Sequence, residues 1–120
     1  MEYEYCPPGL KEKYENEKFL KRKYGISISK GMHEFLSALE AAENAYDIKI
    51  TAKFCMEHKK QNLNSYYSVS LDKKKSKWRL MLQMLNEMNE VIKPNDNEKD
   101  FLKNVKKIRI REMSEHYVEY

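Results

Sequence analysis

The stretch from Tyr66 to Gln83, YYSVSLDKKKSKWRLMLQ, constrains the fold more than any other part of this chain. Tyr66 to Leu71 is rich in β-prone residues and alternates, which puts Tyr67, Val69 and Leu71 on one face. Lys77 to Leu82 alternates as well, with Trp78, Leu80 and Leu82 opposite Lys77, Arg79 and Met81. Between them Asp72-Lys73-Lys74-Lys75-Ser76 is a polar loop of ordinary hairpin length. The spacing predicts a β-hairpin that holds Arg79 at a fixed depth in a sheet, beside a concentration of lysines. A guanidinium held in this way suits a phosphate. The same residues also fit a plain edge hairpin whose lysines discourage pairing with the strand of another chain.

At 120 residues the chain is long enough to close one core, and a single domain over 1–120 is expected. The formal net charge is +4 and charged residues make up 35 %, but the excess is local. From Lys59 to Arg79 seven basic residues face one acid, Asp72, so this window carries +6 and the remainder is slightly acidic. A concentrated positive field favours a polyanionic partner. Cys6 and Cys55 make no disulfide framework, and no histidine stands at zinc-ligand spacing from them. No secretory pattern precedes Glu2 and no apolar run approaches membrane-spanning length. A reduced, cytoplasmic setting without membrane contact is the expectation.

Met1 to Tyr5 alternates and predicts a short first strand, ended by Pro7-Pro8-Gly9. Leu10, Tyr14, Leu20 and Tyr24 recur near helical spacing, which predicts one helix from Leu10 to Tyr24 with Gly25 as its stop. Ile28, Met32, Phe35, Leu36, Leu39 and Ala42 trace a single stripe, a second helix capped by Ser27 or Ser29 and running to about Ala45. His33 sits beside that stripe and reads as a surface histidine. Ile48-Lys49-Ile50 alternates, and a strand is expected to end near Lys59. Met84 to Pro94 fits either an extension of the return strand or a helical turn. Asn95-Asp96-Asn97 caps a short helix from Glu98 to Asn104, and Lys106 to Glu112 alternates with Ile108 and Ile110 inward and Arg109 and Arg111 outward. Two helices gathered on one face of a mostly antiparallel sheet give a two-layer α+β fold.

RNA is cleaved without a metal when its own 2′-hydroxyl is the nucleophile. A base takes the hydroxyl proton, cations stabilise charge on the phosphorane, and an acid protonates the leaving 5′-oxygen. Lys59, Arg79, His116 and Tyr117 each fall near a predicted strand end and are the candidate catalytic set. Of these, the imidazole has the ordinary pKa best suited to proton transfer at neutral pH. Lys60, Lys73, Lys74, Lys75 and Lys77 are the candidate RNA-binding residues, and Tyr66 and Tyr67 can stack on bases. Plainer roles stand beside these. Lys59 also fits a surface lysine, Arg79 a partner of Glu57 or Asp72, and His116 and Tyr117 a frayed chain end. With only Gly9, Gly25 and Gly31, no Gly-rich phosphate loop is present, and neither metal-ligand spacing nor a serine elbow occurs. No cofactor is expected.

Leu20-Lys21-Arg22-Lys23-Tyr24-Gly25 and Leu39-Glu40-Ala41-Ala42-Glu43-Asn44 resemble the helical hairpin of RelE/ParE-superfamily toxins of the HigB, or plasmid-maintenance killer, type. Cys55-Met56-Glu57-His58-Lys59 is similar to the family's C-H-x-L-K-G segment. Tyr67 to Leu71 with Trp78-Arg79-Leu80 is similar to its YSVDL…YRL hairpin. Ile108 to Met113 with Ser114 to Tyr117 is similar to its I-x-I-x-E-I-x-D-Y-H end. The likeness covers nearly the whole chain. It implies the toxin of a type II toxin–antitoxin system: a ribosome-dependent mRNA endoribonuclease restrained by a helix-turn-helix, HigA-like antitoxin, with DNA met only through that antitoxin. Lys59 matches the family's LKG lysine, Arg79 its hairpin arginine, and His116 and Tyr117 its terminal pair. The glycine after the lysine is replaced by Lys60, and the terminal pair is reversed to His-Tyr. The same architecture also serves ParE-like inhibitors of DNA gyrase and relatives that act only as co-repressors.

Overall fold

A computed structural model describes residues 1–115. Among them are six strands, β1 (Glu2–Tyr5), β2 (Glu57–His58), β3 (Tyr67–Val69), β4 (Arg79–Leu85), β5 (Val91–Ile92) and β6 (Lys107–Ser114). Five helices accompany them: α1 (Leu10–Tyr14), α2 (Glu17–Tyr24), α3 (Ile26–Ala41), α4 (Ala45–Lys49) and α5 (Glu98–Lys103). The sheet runs β1-β6-β4-β3-β2, and the expected α+β architecture with a mostly antiparallel sheet is present. Among the described residues no helix is long and apolar enough to cross a membrane.

The predicted hairpin forms, with Tyr67 opposite Leu82 and Val69 opposite Leu80. It is not at the sheet's edge. β4 lies in the interior with every residue buried, flanked by β3 and β6, so the edge-hairpin reading is corrected. Met84 and Leu85 pair with β6 on one side and with β5 on the other, which resolves the segment after Gln83 as strand followed by a short return. β1 joins β6 in parallel, Tyr3 level with Ile108. That pairing ends where the Cys6 N–H donates to the Ile110 carbonyl at 2.9 Å. Beyond it the Met113 N–H donates to the buried Tyr14 hydroxyl at 2.9 Å. Without that hydroxyl the amide would be a buried orphan, at a cost of about 1–3 kcal/mol.

Several boundaries differ from expectation for local reasons. The helix expected from Leu10 to Tyr24 is two. Tyr14 and Leu20 are too far apart to continue one stripe, and Asn16 starts α2 by accepting the Phe19 N–H at 3.0 Å. Neither Ser27 nor Ser29 caps α3. Gly25 takes that place at φ 100°, and the Ser29 hydroxyl donates to the Glu17 carbonyl instead. α3 ends at Ala41, and Asn44 caps a separate α4, accepting from Tyr46 and Asp47 N–H groups. The Ile48-Lys49-Ile50 alternation is therefore helical at Ile48 and Lys49, with Ile48 buried and Ile50 exposed. Asn97 caps α5 as read from sequence.

Met32, Phe35 and Leu39 on α3 pack with Val69, Leu80, Leu82, Ile108 and Ile110 to make the core. Phe35 meets Phe54 edge to face at 5.3 Å between centroids. α3 reaches the sheet because Gly31 has no side chain. A Cβ there would lie 1.7 Å from the Leu71 carbonyl oxygen and 2.6 Å from its carbon. Both are backbone atoms and cannot swing aside. Gly31→Ala is expected to destabilise the protein by about 3 kcal/mol or more, read as a lower urea midpoint. An unchanged midpoint would contradict this packing.

Burial raises the phenols of Tyr5, Tyr14 and Tyr67 well above the usual tyrosine value, with the Glu98 carboxylate adding to the effect at Tyr67. A group whose folded pKa is raised contributes its full stability below the unfolded value and loses it as pH climbs. Thermal melts are expected to hold steady up to about pH 10 and fall above it. Tyr67→Phe, which cannot ionise, is expected to make that alkaline decline shallower.

Candidate nucleic-acid interface

The helices cover one face of the sheet. Strand alternation and register place the other side chains together on the opposite face: Glu57 and Lys59 from β2 and its exit, Tyr66 and Ser68 around β3, Arg79, Met81 and Gln83 from β4, and Arg109 and Arg111 from β6. Met81 is buried yet stands apart from the helix-covered core, as its position on this second face requires.

Arg79 is 8 % exposed, an unusual burial for a charge. Its Nη1 donates to the carbonyls of Ser76 at 2.7 Å and Trp78 at 2.9 Å. Those carbonyls belong to the returning arm of the hairpin loop. The arm is anchored where the Trp78 ring meets Tyr24 edge to face at 4.8 Å. Backbone carbonyls thus hold this arm of the guanidinium. Across the sheet, Arg79 is level with Ser114 at the end of β6.

Lys59 is tied to the same sheet by its N–H, which donates to the Tyr66 carbonyl at 3.0 Å. Its side chain is 14 % exposed and its Nζ stands 3.6 Å from Glu57 Oε2. The absent glycine has a simple account. Lys60 is extended at φ −122°, and the left-handed turn falls one residue later, at Gln61 with φ 55°. His58 is structural: its Nε2 bonds the Asn64 carbonyl at 2.7 Å and its ring lies beside Tyr67.

Glu57 stands between two cations. Lys74 donates to its Oε1 at 2.9 Å while Lys59 faces Oε2. The hydrogen bond from Lys74 is the main reason this carboxyl sits below the usual carboxylate range, and the same bond raises the Lys74 ammonium.

Arg111, read from sequence only as an outward side chain, is the residue that tertiary structure adds. Leu82 pairs with Ile110 and Leu80 with Met113, so 111 and 112 face the single residue Met81 in a β-bulge. The Arg111 Nη1 donates to Gln83 Oε1 at 3.2 Å, and its guanidinium lies 6.0 Å from the Tyr66 ring centroid. Glu112 is 3.7 Å from Nη2. The Nε is buried and has no hydrogen-bond partner among the described residues. No spacing in the sequence announces this group, because Tyr66, Gln83 and Arg111 meet only through the register of three strands.

The predicted set is therefore partly gathered. Lys59 and Arg79 share the face, but Lys59 is level with Gln83, four residues along β4 from Arg79, roughly 13 Å of strand. Arg109 is level with Gln83 and so with Lys59, and Arg111 reaches that level through its bond to Gln83. Of the predicted RNA-binding lysines, Lys74 reaches this face, whereas Lys73 and Lys75 line a groove on the helix side of the loop. Lys60 and Lys77 are exposed. His116 and Tyr117 lie outside the described residues. Among those described, no group of three His, Cys, Asp or Glu side chains is placed to hold a metal ion.

The arrangement presents cations, one half-buried aromatic ring and three carboxylates that partly neutralise the cations: Glu57, Glu112 beside Arg111, and Glu4, which takes the Arg109 Nε at 3.1 Å. Glu57→Gln removes a negative charge where a phosphate would approach and releases Lys74. It is expected to tighten single-stranded RNA binding by about threefold, the scale of an exposed ion pair, measured by titration of a labelled oligonucleotide. Weaker binding would show that Glu57 positions the lysines rather than masking them. No protein-family model, no curated protein and no solved structure matches this chain.

Proposed function

We propose that this chain is the toxin of a type II toxin–antitoxin system, a cytoplasmic, ribosome-dependent mRNA endoribonuclease of the RelE/HigB kind. A helix-turn-helix antitoxin restrains it, and DNA is contacted only through that antitoxin. The sequence resemblance suggests the class. The observation that carries the reading is the second sheet face, where Lys59, Arg79 and Arg111 are held by backbone and neighbouring side chains and the buried Arg111 Nε has no hydrogen-bond partner among the described residues.

In this reading the strand lies across the open face with an unstacked base against Tyr66. The 2′-oxygen attacks phosphorus, its proton passes to a base, the P–O5′ bond breaks and an acid protonates the 5′-oxygen. The products are a 2′,3′-cyclic phosphate and a 5′-hydroxyl. Negative charge grows on the nonbridging oxygens as the phosphorane forms. Lys59 and Arg111, both beside Tyr66 and Gln83, stabilise that charge from positions that spare reorganisation during the step, and Arg79, four residues away along β4, holds a neighbouring phosphate. His116 and Tyr117 take the proton transfers by virtue of the resemblance and of the ordinary imidazole pKa.

Expression without the antitoxin is expected to arrest growth and to leave mRNAs cut within reading frames. Lys59→Ala and Arg111→Ala should each lower cleavage by about 100-fold while the thermal melt stays in place, and Arg79→Lys should impair cleavage with less disturbance of the buried site than an alanine. Intact mRNA during arrest would overturn the nuclease reading. Inhibition of gyrase supercoiling by the purified chain, insensitive to these substitutions, would put a ParE-like activity in its place. Harmless expression with operator binding by the toxin–antitoxin pair would leave a co-repressor.

A further inference from the structure

The hairpin loop divides its lysines between two sides of the molecule. Lys73 and Lys74 both adopt left-handed backbone, at φ 56° and 63°, which costs roughly 1–2 kcal/mol per non-glycine residue. The Lys74 N–H donates to the buried Ser70 hydroxyl at 2.7 Å, and that hydroxyl also donates to Asp72 Oδ1 at 3.3 Å. The network holds the turn in this shape. Lys74 then reaches Glu57 on the open face, while Lys73 and Lys75 turn to the other flank.

On that flank lies a groove of about 270 Å³ bordered by Lys30 of α3, Lys53, Lys73 and Lys75. Glu34 and Asp72 are the acids in its wall. Glu34 is paired with Lys53 at 3.6 Å, and the Asp72 carboxylate is buried at the root of the loop. Lys30, Lys73 and Lys75 have no ion-pair partner among the described residues. The aromatic residue in the wall, Phe54, is 2 % exposed, so the groove offers no ring on which an unpaired base can stack. The open face differs, because Tyr66 is only half-buried there beside Arg111.

We propose that this groove binds the phosphate backbone of double-stranded RNA, at a site separate from the open face that takes a single strand. A duplex keeps its bases stacked internally and presents phosphates, which lysines contact without a stacking platform. The inference rests on RNA being the ligand of this protein, but it does not require that the protein cleave it.

The test is anisotropy titration of the full chain with a labelled RNA hairpin of about 20 base pairs, repeated over a salt series. The Lys73→Gln/Lys75→Gln double variant is expected to bind the hairpin about tenfold more weakly and to reduce the slope of log K against log salt by about 1 to 2. Because both side chains are exposed, its melting temperature should match the parent. Unchanged affinity and slope in the double variant would overturn the groove assignment and leave the cleavage reading standing. A chain that cuts no RNA yet shows the expected loss would keep the groove and remove only the nuclease. If a DNA hairpin or polyglutamate binds through Lys73 and Lys75 while the RNA hairpin does not, the groove belongs to that other ligand and the proposal fails.

Discussion

α3 meets the sheet so closely at Gly31, against the backbone of Leu71 at the exit of β3, that no side chain fits between them. That contact fixes more than the distance between two layers. Leu71 begins the loop, and the preceding Ser70 N–H donates to the Phe54 carbonyl at 2.7 Å. The loop therefore leaves the sheet from a root pinned on two sides. Its returning arm is pinned in turn by Trp78 against Tyr24, and that arm supplies the carbonyls that hold Arg79. The position of one guanidinium thus depends on a missing methyl group on a helix.

The sheet carries two kinds of burial. On the helix side it is apolar and unremarkable in chemistry. On the other side Ser68, Arg79, Met81 and Gln83 are buried as well, although two of them are strongly polar and one is charged. A buried cation is tolerated only where its donors are met. Arg79 meets that condition with backbone carbonyls, and Arg111 meets it partly, its Nε having no hydrogen-bond partner among the described residues.

Charge along the chain and charge in space are different quantities here. The +6 window from Lys59 to Arg79 is continuous in sequence but splits in three dimensions. Part of it is drawn onto the open face by Glu57, and part is turned toward α3 by a strained loop. Glu57 lies within that arrangement as a carboxylate between two ammonium groups, tempering the field of Lys59 and Lys74. A nucleic acid would thus meet two surfaces of opposite character, one with a ring and one without.

The hairpin, its face assignments, the closing strand, the Asn97 cap and the two-layer α+β class were all legible in the residues, because alternation, apolar stripes and capping chemistry act over a few neighbours. Lys59 and Arg79 were legible as candidates for the same reason, each being a cation at a strand end. The split at Asn16, the Gly25 start of α3 and the separate α4 were misread where a local cap outweighed an approximate period. What the sequence did not contain was the company these residues keep. The parallel β1, the bulge that brings Arg111 to Tyr66 and Gln83, the level of Lys59 against Arg79 and the parting of Lys74 from its two neighbours all follow from strand register and from Gly31 on Leu71. Those are contacts between segments far apart in the chain, and no window of sequence encodes a register whose two halves it does not both contain.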